Sequence, residues 1–238
     1  MVKNNSGKVK NLLGSAKIKR VIRGSSLAKN TSILRGKMAR DIKRKYGFKD
    51  KKVLDAMVKV PRDEFVSTRY KNLAYEDRSL PIGHGQTVSQ PYTVAFMTSL
   101  LAPKRKDRVL EVGTGSGYQA VVLSFLVEEV FSVERVGKLA KKAKKRVKKM
   151  GIGNVHIMAG QGELGWRSQA PFDAIIVTAG IEGKLPDTLL NQLKVGGILV
   201  APVAHGGETV MTKYTKKVKG KFSKRKYGVF SFVPFIKN

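Results

Sequence analysis

Residues Val109 to Gln119 read Val-Leu-Glu-Val-Gly-Thr-Gly-Ser-Gly-Tyr-Gln, and this stretch decides the fold. A short apolar run is followed by three glycines at every second position and then by an apolar helical segment. This order predicts a strand, a tight turn and the start of a helix. Glycine suits such a turn because any Cβ would collide with a ligand that approaches the backbone closely. Since nucleotide-like ligands bind at the carboxyl ends of parallel strands, the stretch predicts a site for an adenosyl cofactor.

Two classes of adenosyl cofactor compete for this turn. Dinucleotides favour G-x-G-x-x-G with a helix N-terminus facing the pyrophosphate, whereas the spacing here is G-x-G-x-G and Glu111 precedes it. S-adenosylmethionine carries a sulfonium and an ammonium and no phosphate, so a carboxylate complements its charge. A second carboxylate, Glu134, ends the next apolar run where a βαβ unit places its ribose-binding acid. The pattern therefore favours S-adenosylmethionine over a dinucleotide.

The composition sets the broad class of protein. The 238 residues (26.2 kDa) suffice for one α/β domain with a substantial core. Cysteine is absent, which excludes disulfides and thiolate chemistry, and the three histidines are too widely spaced in sequence for a ready zinc site. We expect no metal. Since no stretch is long and apolar enough for a membrane span, we expect a cytoplasmic protein without membrane contact.

The formal net charge of +30 is extreme and comes from 33 lysines and 14 arginines against 17 acidic residues. Such a field attracts nucleic acid and other polyanions. Lysine, however, is less suited than arginine to bidentate reading of bases or phosphates, and few aromatic residues lie between the lysines. Two interpretations therefore stay open, a lysine-coated surface without a dedicated partner and nonspecific association with RNA or DNA.

The hydrophobic pattern divides the chain into parts. Residues 1–30 are polar and basic and are predicted to form a flexible tail, and residues 31–238 are predicted to form one domain. Within it, 31–107 hold N-terminal helices, the first from Thr31, and a loop rich in Gly and Pro. Residues 108–205 alternate strands with helices, which predicts a mostly parallel sheet covered on both faces. In 206–238, segments 208–218 and 227–235 predict an antiparallel hairpin at the sheet edge. We expect a monomer.

Several motifs in a fixed order resemble one family. The glycine turn is followed by Ser132-Val-Glu-Arg135, and the segment Leu80-Pro-Ile-Gly-His-Gly-Gln-Thr-Val-Ser-Gln-Pro91 precedes it. With Val60-Pro-Arg-Asp-Glu-Phe-Val66 and Phe232-Val-Pro234, the chain from Ile33 to Phe235 resembles the protein-L-isoaspartate O-methyltransferases. The resemblance implies a Rossmann-like class I methyltransferase fold. The Leu80–Pro91 segment is the most specific motif, because a glycine turn alone indicates only a class I methyltransferase.

This resemblance implies an activity. Members of the family transfer a methyl group from S-adenosylmethionine to the α-carboxylate of L-isoaspartyl residues in damaged proteins and peptides. The methyl ester then cyclises to a succinimide, and hydrolysis returns some normal aspartate. A carboxylate is already ionised near neutral pH, so the enzyme needs alignment of the reacting groups more than it needs a strong base.

The resemblance also implies site residues, matched position by position. Ser89 corresponds to the active-site serine, with a positioning role for the acceptor, although a serine before a predicted helix is also a common helix cap. The residues implied for the acceptor are Ile82, Gln86 and Gln90. The residues implied for the cofactor are Thr87, Val88, Glu111, Gly113, Thr114, Gly115, Gly117, Glu134, Gln161 and Gly162.

One position departs from the family pattern. The family has Gly-Asp-Gly where this chain has Gly160-Gln-Gly162, and the aspartate contacts the adenine amino group. Gln161 can accept a hydrogen bond through its amide oxygen but lacks the charge, which predicts weaker donor binding.

Two alternative functions remain at the level of sequence. The first is a methyltransferase-fold protein that binds or modifies RNA or DNA, which the net charge motivates. The second is a family member dedicated to one specific protein or peptide, since acceptor choice depends on the shapes of loops.

Overall fold

The computed structural model describes residues 26–235, and residues 1–25 and 236–238 lie outside the described part. The predicted flexible tail, residues 1–30, therefore falls mostly outside the described residues. The first helix begins at Ser26, earlier than the predicted start at Thr31.

Between residues 26 and 235, nine strands form two sheets. Their bounds are β1 Leu80–Gly83, β2 Gln86–Val88, β3 Arg108–Val112, β4 Glu129–Glu134, β5 Val155–Ala159, β6 Phe172–Val177, β7 Leu193–His205, β8 Glu208–Lys216 and β9 Phe222–Val229. The first two strands pair antiparallel as a small separate ribbon. The other seven form the central sheet in the order β5-β4-β3-β6-β7-β8-β9. Strands β3 to β7 run parallel, and β8 and β9 add to that sheet in antiparallel fashion.

In the described part of the chain, six α-helices accompany the sheets, with bounds α1 Ser26–Tyr46, α2 Lys51–Lys59, α3 Pro91–Leu101, α4 Tyr118–Ser124, α5 Gly137–Lys149 and α6 Asp187–Asn191. Local chemistry sets several of their ends. The Asp50 carboxylate accepts the Val53 N–H at 3.2 Å and caps the start of α2. Pro91 stands at the first position of α3, where its missing N–H costs nothing. Gly117, with φ of +88°, turns the chain into α4.

Apolar side chains cover both faces of the central sheet. On one face, Val109 and its neighbours pack under helices α1 to α5. On the other face, Leu110 and Phe131 pack with Leu189 of α6 and with the loops around it. The alternation of Val109 and Leu110 between faces follows from the two-residue period of a strand. The predicted mostly parallel α/β fold with helices on both faces is confirmed.

The order of the strands creates a crevice. From β3 the chain proceeds outward to β4 and β5 and then returns to place β6 on the other side of β3. Loops that leave neighbouring strands in opposite directions open a gap at the carboxyl ends of those strands. The glycine turn after β3 therefore lies at the topological switch point of the sheet.

The C-terminal hairpin is confirmed, but the predicted second strand, residues 227–235, is wrong in its bounds. The strand β9 begins at Phe222 and ends at Val229, and Lys224, Arg225 and Lys226 within it are exposed. These charged residues gave no apolar alternation from which the strand could be predicted. Residues 230–235 instead cross the carboxyl ends of the core strands, where Gly180 donates its N–H to Val233 O at 2.8 Å.

The helices between residues 26 and 235 include none whose length and apolarity would let it cross a bilayer.

Candidate active site

A pocket opens at the switch point of the sheet and collects residues from six parts of the chain. They come from residues 86–94, from the end of β3 and the turn and helix start after it, from the end of β4, from the turns after β5 and β6, and from the C-terminal crossing. The lining residues are Gln86, Thr87, Val88, Ser89, Val94, Val112, Gly113, Thr114, Gly115, Ser116, Tyr118, Gln119, Val133, Glu134, Arg135, Val136, Gly162, Thr178, Ala179, Val233, Pro234 and Phe235. Nine of the residues predicted for the site are among them.

The glycine turn needs its glycines for two different reasons. Gly113 has φ of +99°, and a Cβ there would lie 2.5 Å from Thr178 Oγ1. That hydroxyl stands close because it donates to Gly113 O at 2.6 Å. Gly115 has φ of +53°, which a side chain tolerates poorly. A Cβ at Gly162, in contrast, would be blocked by packing, at 2.8 Å from Val112 Cγ1 and 3.1 Å from the Phe235 ring.

Glu134 joins the end of β4 to this turn. Its Oε2 accepts the Gly115 N–H at 2.6 Å, and its Oε1 accepts the Val136 N–H at 2.8 Å. The side chain is 6% exposed, and it lines the pocket. A carboxylate oxygen can accept two hydrogen bonds, so each oxygen retains capacity for a ligand hydroxyl while the backbone amides fix its position.

Glu111 does not lie on the pocket wall, contrary to the prediction that it meets the cationic donor. It is fully buried behind the turn, where it accepts a hydrogen bond from Ser132, whose hydroxyl also bonds Thr114. Its pKa is raised to about 8, chiefly by burial and also by the nearby charge of Glu134, while the Ser132 hydrogen bond opposes the shift. Glu111 is therefore largely protonated at neutral pH and buttresses Thr114 through Ser132.

Ser89 lines the pocket beside Thr87 and Val88. The N-cap residue of α3 is Gln90, and its side chain forms no capping hydrogen bond with the helix. The alternative of a capping serine is therefore wrong. Among the described residues, no hydrogen bond engages the Ser89 hydroxyl, which leaves it available to a ligand.

Four other predicted residues lie away from the pocket wall. Gly117 faces Ala143 and serves the start of α4. Gln161 is exposed and precedes Gly162, so the structure places only the glycine in the pocket. Ile82 lies over the glycine turn, with its Cδ1 at 3.4 Å from a Cβ built on Gly115.

Gln90, predicted to bind the acceptor, points away from the pocket instead. Its Nε2 donates to Asp77 Oδ2 at 3.0 Å and to Tyr46 Oη at 3.3 Å. The side chain is thus occupied on the far side of the segment that carries Ser89. Sequence reasoning missed this because Asp77 and Tyr46 are 13 and 44 residues away.

Several pocket residues were not predicted. Thr178 follows β6, the neighbour of β3, and its place at the switch point could have been inferred from the strand order. Val233, Pro234 and Phe235 gave no such signal, because their approach depends on the long-range pairing of residue 180 with the C-terminal crossing. Within residues 26–235, no three acidic or histidine side chains converge to hold a metal ion.

Comparison with known proteins yields one family and many relatives. The model of the family described as protein-L-isoaspartate(D-aspartate) O-methyltransferase matches residues 35–238. The chain is 47% identical over 194 residues to a protein-L-isoaspartate O-methyltransferase of Dictyoglomus turgidum, which covers 82% of this chain and 87% of that protein. A protein of the same name from Yersinia enterocolitica is 47% identical over 194 residues, covering 82% and 92% of the two chains.

Solved structures agree with the sequence relatives. A protein-L-isoaspartate O-methyltransferase matches with a TM-score of 0.77 and 30% identity over 84% of this chain and 65% of that longer chain. A Plasmodium falciparum structure of the same description, in complex with S-adenosyl-L-homocysteine, matches with a TM-score of 0.73 and 25% identity, covering 85% and 98%.

The protonation of Glu111 predicts a pH-dependent stability. The ordinary pKa of 4.5 applies to the unfolded chain and about 8 to the folded one, so the folded state binds more protons between these values. Stability therefore falls as the pH rises from about 4.5 to about 8. Glu111→Gln, which stays neutral, should match the parent in melting temperature near pH 5 and exceed it near pH 8.

Thermal unfolding of both proteins between pH 5 and pH 8.5 measures this difference. Glu208→Gln, at an exposed position, is the control and should show no such divergence. If the difference in melting temperature between Glu111→Gln and the parent narrows toward pH 8, the raised pKa of Glu111 is contradicted.

Proposed function

Because the chain belongs to the protein-L-isoaspartate O-methyltransferase family, we propose that Ser89 and the glycine turn divide the work of methyl transfer between acceptor and donor. The enzyme transfers a methyl group from S-adenosylmethionine to the α-carboxyl of L-isoaspartyl residues in damaged proteins and peptides. The assignment of individual residues rests on one observation, the convergence of Ser89, Gly113, Gly115 and Glu134 on a single pocket.

The residues of the pocket suit an adenosyl donor. Gly113, Gly115 and Gly162 present their backbone on the pocket wall, and the fixed Glu134 carboxylate can accept from two adjacent hydroxyls such as those of a ribose. These residues would hold S-adenosylmethionine together with Thr87, Val88, Thr114 and Gly115. When bound, this donor supplies an activated methyl group on a sulfonium.

The chain's own residues must then hold the acceptor carboxylate in line with that methyl group. The carboxylate is ionised at neutral pH, so no proton needs to be removed. The unengaged Ser89 hydroxyl can donate a hydrogen bond that orients it without cancelling its charge. Ile82, which lies over the glycine turn, and Gln86, which lines the pocket with Ser89, are proposed to contact the acceptor backbone. The gain is one of proximity and orientation.

A methyl-acceptor assay tests this function. With labelled S-adenosylmethionine, an isoaspartyl peptide should be methylated and its normal aspartyl counterpart should not. Ser89→Ala should lower kcat about 10–100-fold, since a hydrogen bond to a charged group contributes about 1.5–3 kcal/mol. Donor affinity, measured by calorimetry with S-adenosylhomocysteine, should stay nearly intact.

The exposed Ser168→Ala is the matched control and should behave as the parent does. Collapse of donor affinity in Ser89→Ala would assign Ser89 to the cofactor pocket. Methylation of RNA but not of the isoaspartyl peptide would overturn the assigned acceptor.

A second proposal concerns partners: nonspecific association with nucleic acid through helix α5. This helix carries seven exposed lysines and no acidic residue, and its nearest ion pair joins Lys149 Nζ and Glu64 Oε2 at 3.9 Å. We call this surface the lysine face of α5, formed by Lys138, Lys141, Lys142, Lys144, Lys145, Lys148 and Lys149.

The chemistry of the lysine face favours a phosphate backbone over a membrane. The apolar side of α5, with Leu139, Ala143 and Val147, is buried against the sheet, so no apolar stripe is free to enter a lipid interface. Lysine ammonium groups act as point charges, which suits contacts to phosphates without reading of bases.

Charge reversal of the lysine face tests this partner. The triple change Lys141→Glu, Lys142→Glu and Lys145→Glu should weaken binding to a 20-base-pair DNA duplex and reduce the slope of log affinity against log salt by about 2–3. Peptide methylation should continue, which verifies folding.

The control reverses three exposed lysines of α1, the loop after it and α2, by Lys37→Glu, Lys49→Glu and Lys52→Glu. It lowers the net charge equally but should affect the salt slope less. Equal losses in the two triple variants would show that total charge, and not α5, carries the binding.

Further proposals concern the whole protein. We propose that residues 31–238 act as one domain that follows a basic tail of residues 1–30, and that the protein is a monomer in the cytoplasm. A dimer mass in light scattering of the purified chain would contradict the proposed monomer. A membrane-bound pool on fractionation of source cells would contradict the proposed location in the cytoplasm.

A further inference from the structure

Asp77 lies in the loop before β1 and accepts hydrogen bonds on both carboxylate oxygens. Its Oδ1 accepts the Tyr92 N–H at 2.9 Å. Its Oδ2 accepts the Tyr46 hydroxyl at 2.6 Å and the Gln90 Nε2 at 3.0 Å. Asp77 thus gathers α1 and the start of α3 around one half-buried carboxylate.

The partners of Asp77 bracket the segment that carries Ser89. Gln90 and Tyr92 stand on either side of Pro91, and Ser89 immediately precedes Gln90. Gln90 provides no side-chain cap to α3, so the carboxylate of Asp77 serves the free N–H of Tyr92 from a distant part of the chain. Negative charge at this end also complements the helix dipole.

Aromatic packing makes this attachment rigid. The ring of Tyr46 stacks on that of Tyr92 with centroids 3.6 Å apart and planes 11° from parallel. The loop of Asp77 is itself anchored from behind, because the fully buried Arg62 donates from Nη2 to Arg78 O at 3.0 Å. The Asp77 carboxylate is therefore held in place and can restrain the position of the turn before α3.

We propose that Asp77 is a positioning residue for methyl transfer, which holds the turn of Ser89 so that the hydroxyl faces the pocket. Ser89 forms no hydrogen bond of its own with the described residues, so its direction is set by the backbone on which it stands. The inference rests on the proposed role of Ser89, and it adds that Asp77 acts through that residue and not on the donor.

A double-mutant cycle of Asp77 and Ser89 separates positioning from general stabilisation. Asp77→Asn should lower kcat about tenfold, with the affinity for S-adenosylhomocysteine changed less than about twofold. In a chain that already carries Ser89→Ala, Asp77→Asn should lower kcat no further, because the two residues act as one unit.

Asp50 offers a matched control because it also contacts α3. Its Oδ1 caps α2, and its Oδ2 accepts the Ser99 hydroxyl of α3 at 3.0 Å, away from the pocket. Asp50→Asn should lower the melting temperature as Asp77→Asn does and leave kcat unchanged. If both variants lower kcat equally, the effect of Asp77 is one of stability and the inference fails.

Other outcomes are equally decisive. If the losses of kcat in the two single variants multiply in the double variant, Asp77 does not act through Ser89. If Ser89→Ala keeps full activity, both the role of Ser89 and this inference are overturned. Should Asp77→Asn not fold, Tyr46→Phe and Gln90→Leu each remove one hydrogen bond to Oδ2 and enter the same cycle, with the same expected loss of kcat and the same absence of additivity.

Discussion

The bond between Glu134 Oε2 and the Gly115 N–H is the contact on which the site depends. It ties the end of β4 to the turn that follows the neighbouring strand β3, beside the point where the strand order reverses. The hydrogen bond therefore fixes the position of the glycine turn relative to the end of β4. Because the carboxylate also accepts the Val136 N–H, a negative group with free lone pairs is held rigidly at the mouth of the crevice.

The remaining walls of the pocket are built by contacts between distant segments. Thr178 approaches Gly113 so closely that only glycine fits there. The C-terminal crossing brings Phe235 over Gly162 and is attached to the sheet through Gly180. The pocket thus requires that β6, the hairpin and the glycine turn all be in place, which couples donor binding to completion of the fold.

The sequence was most informative where apolar runs are continuous and least informative where geometry decides direction. The strand β3 and the turn after it were predicted because the run of residues is mostly apolar and glycine ends it. The buried position of Glu111 was not predicted, because a strand residue next to a turn can face either side of the sheet. Here Glu111 faces the same side as Val109, under the helices. The hydrogen bonds of Gln90 to Asp77 and Tyr46 could not be predicted, because these partners come from distant segments. The bounds of β9 were missed because its exposed lysines do not show the alternation of a strand.

The placement of charge on β9 has a consequence for the protein in concentrated solution. Within residues 26–235, β9 is the last strand of the sheet, so its outer backbone groups have no neighbouring strand. Such a border is a template on which a second copy could add and begin a fibre. Lys224, Arg225 and Lys226 of β9 are exposed, and two copies that pair along this strand would bring these cations together. The resulting repulsion opposes the addition of a second copy at this edge of the sheet.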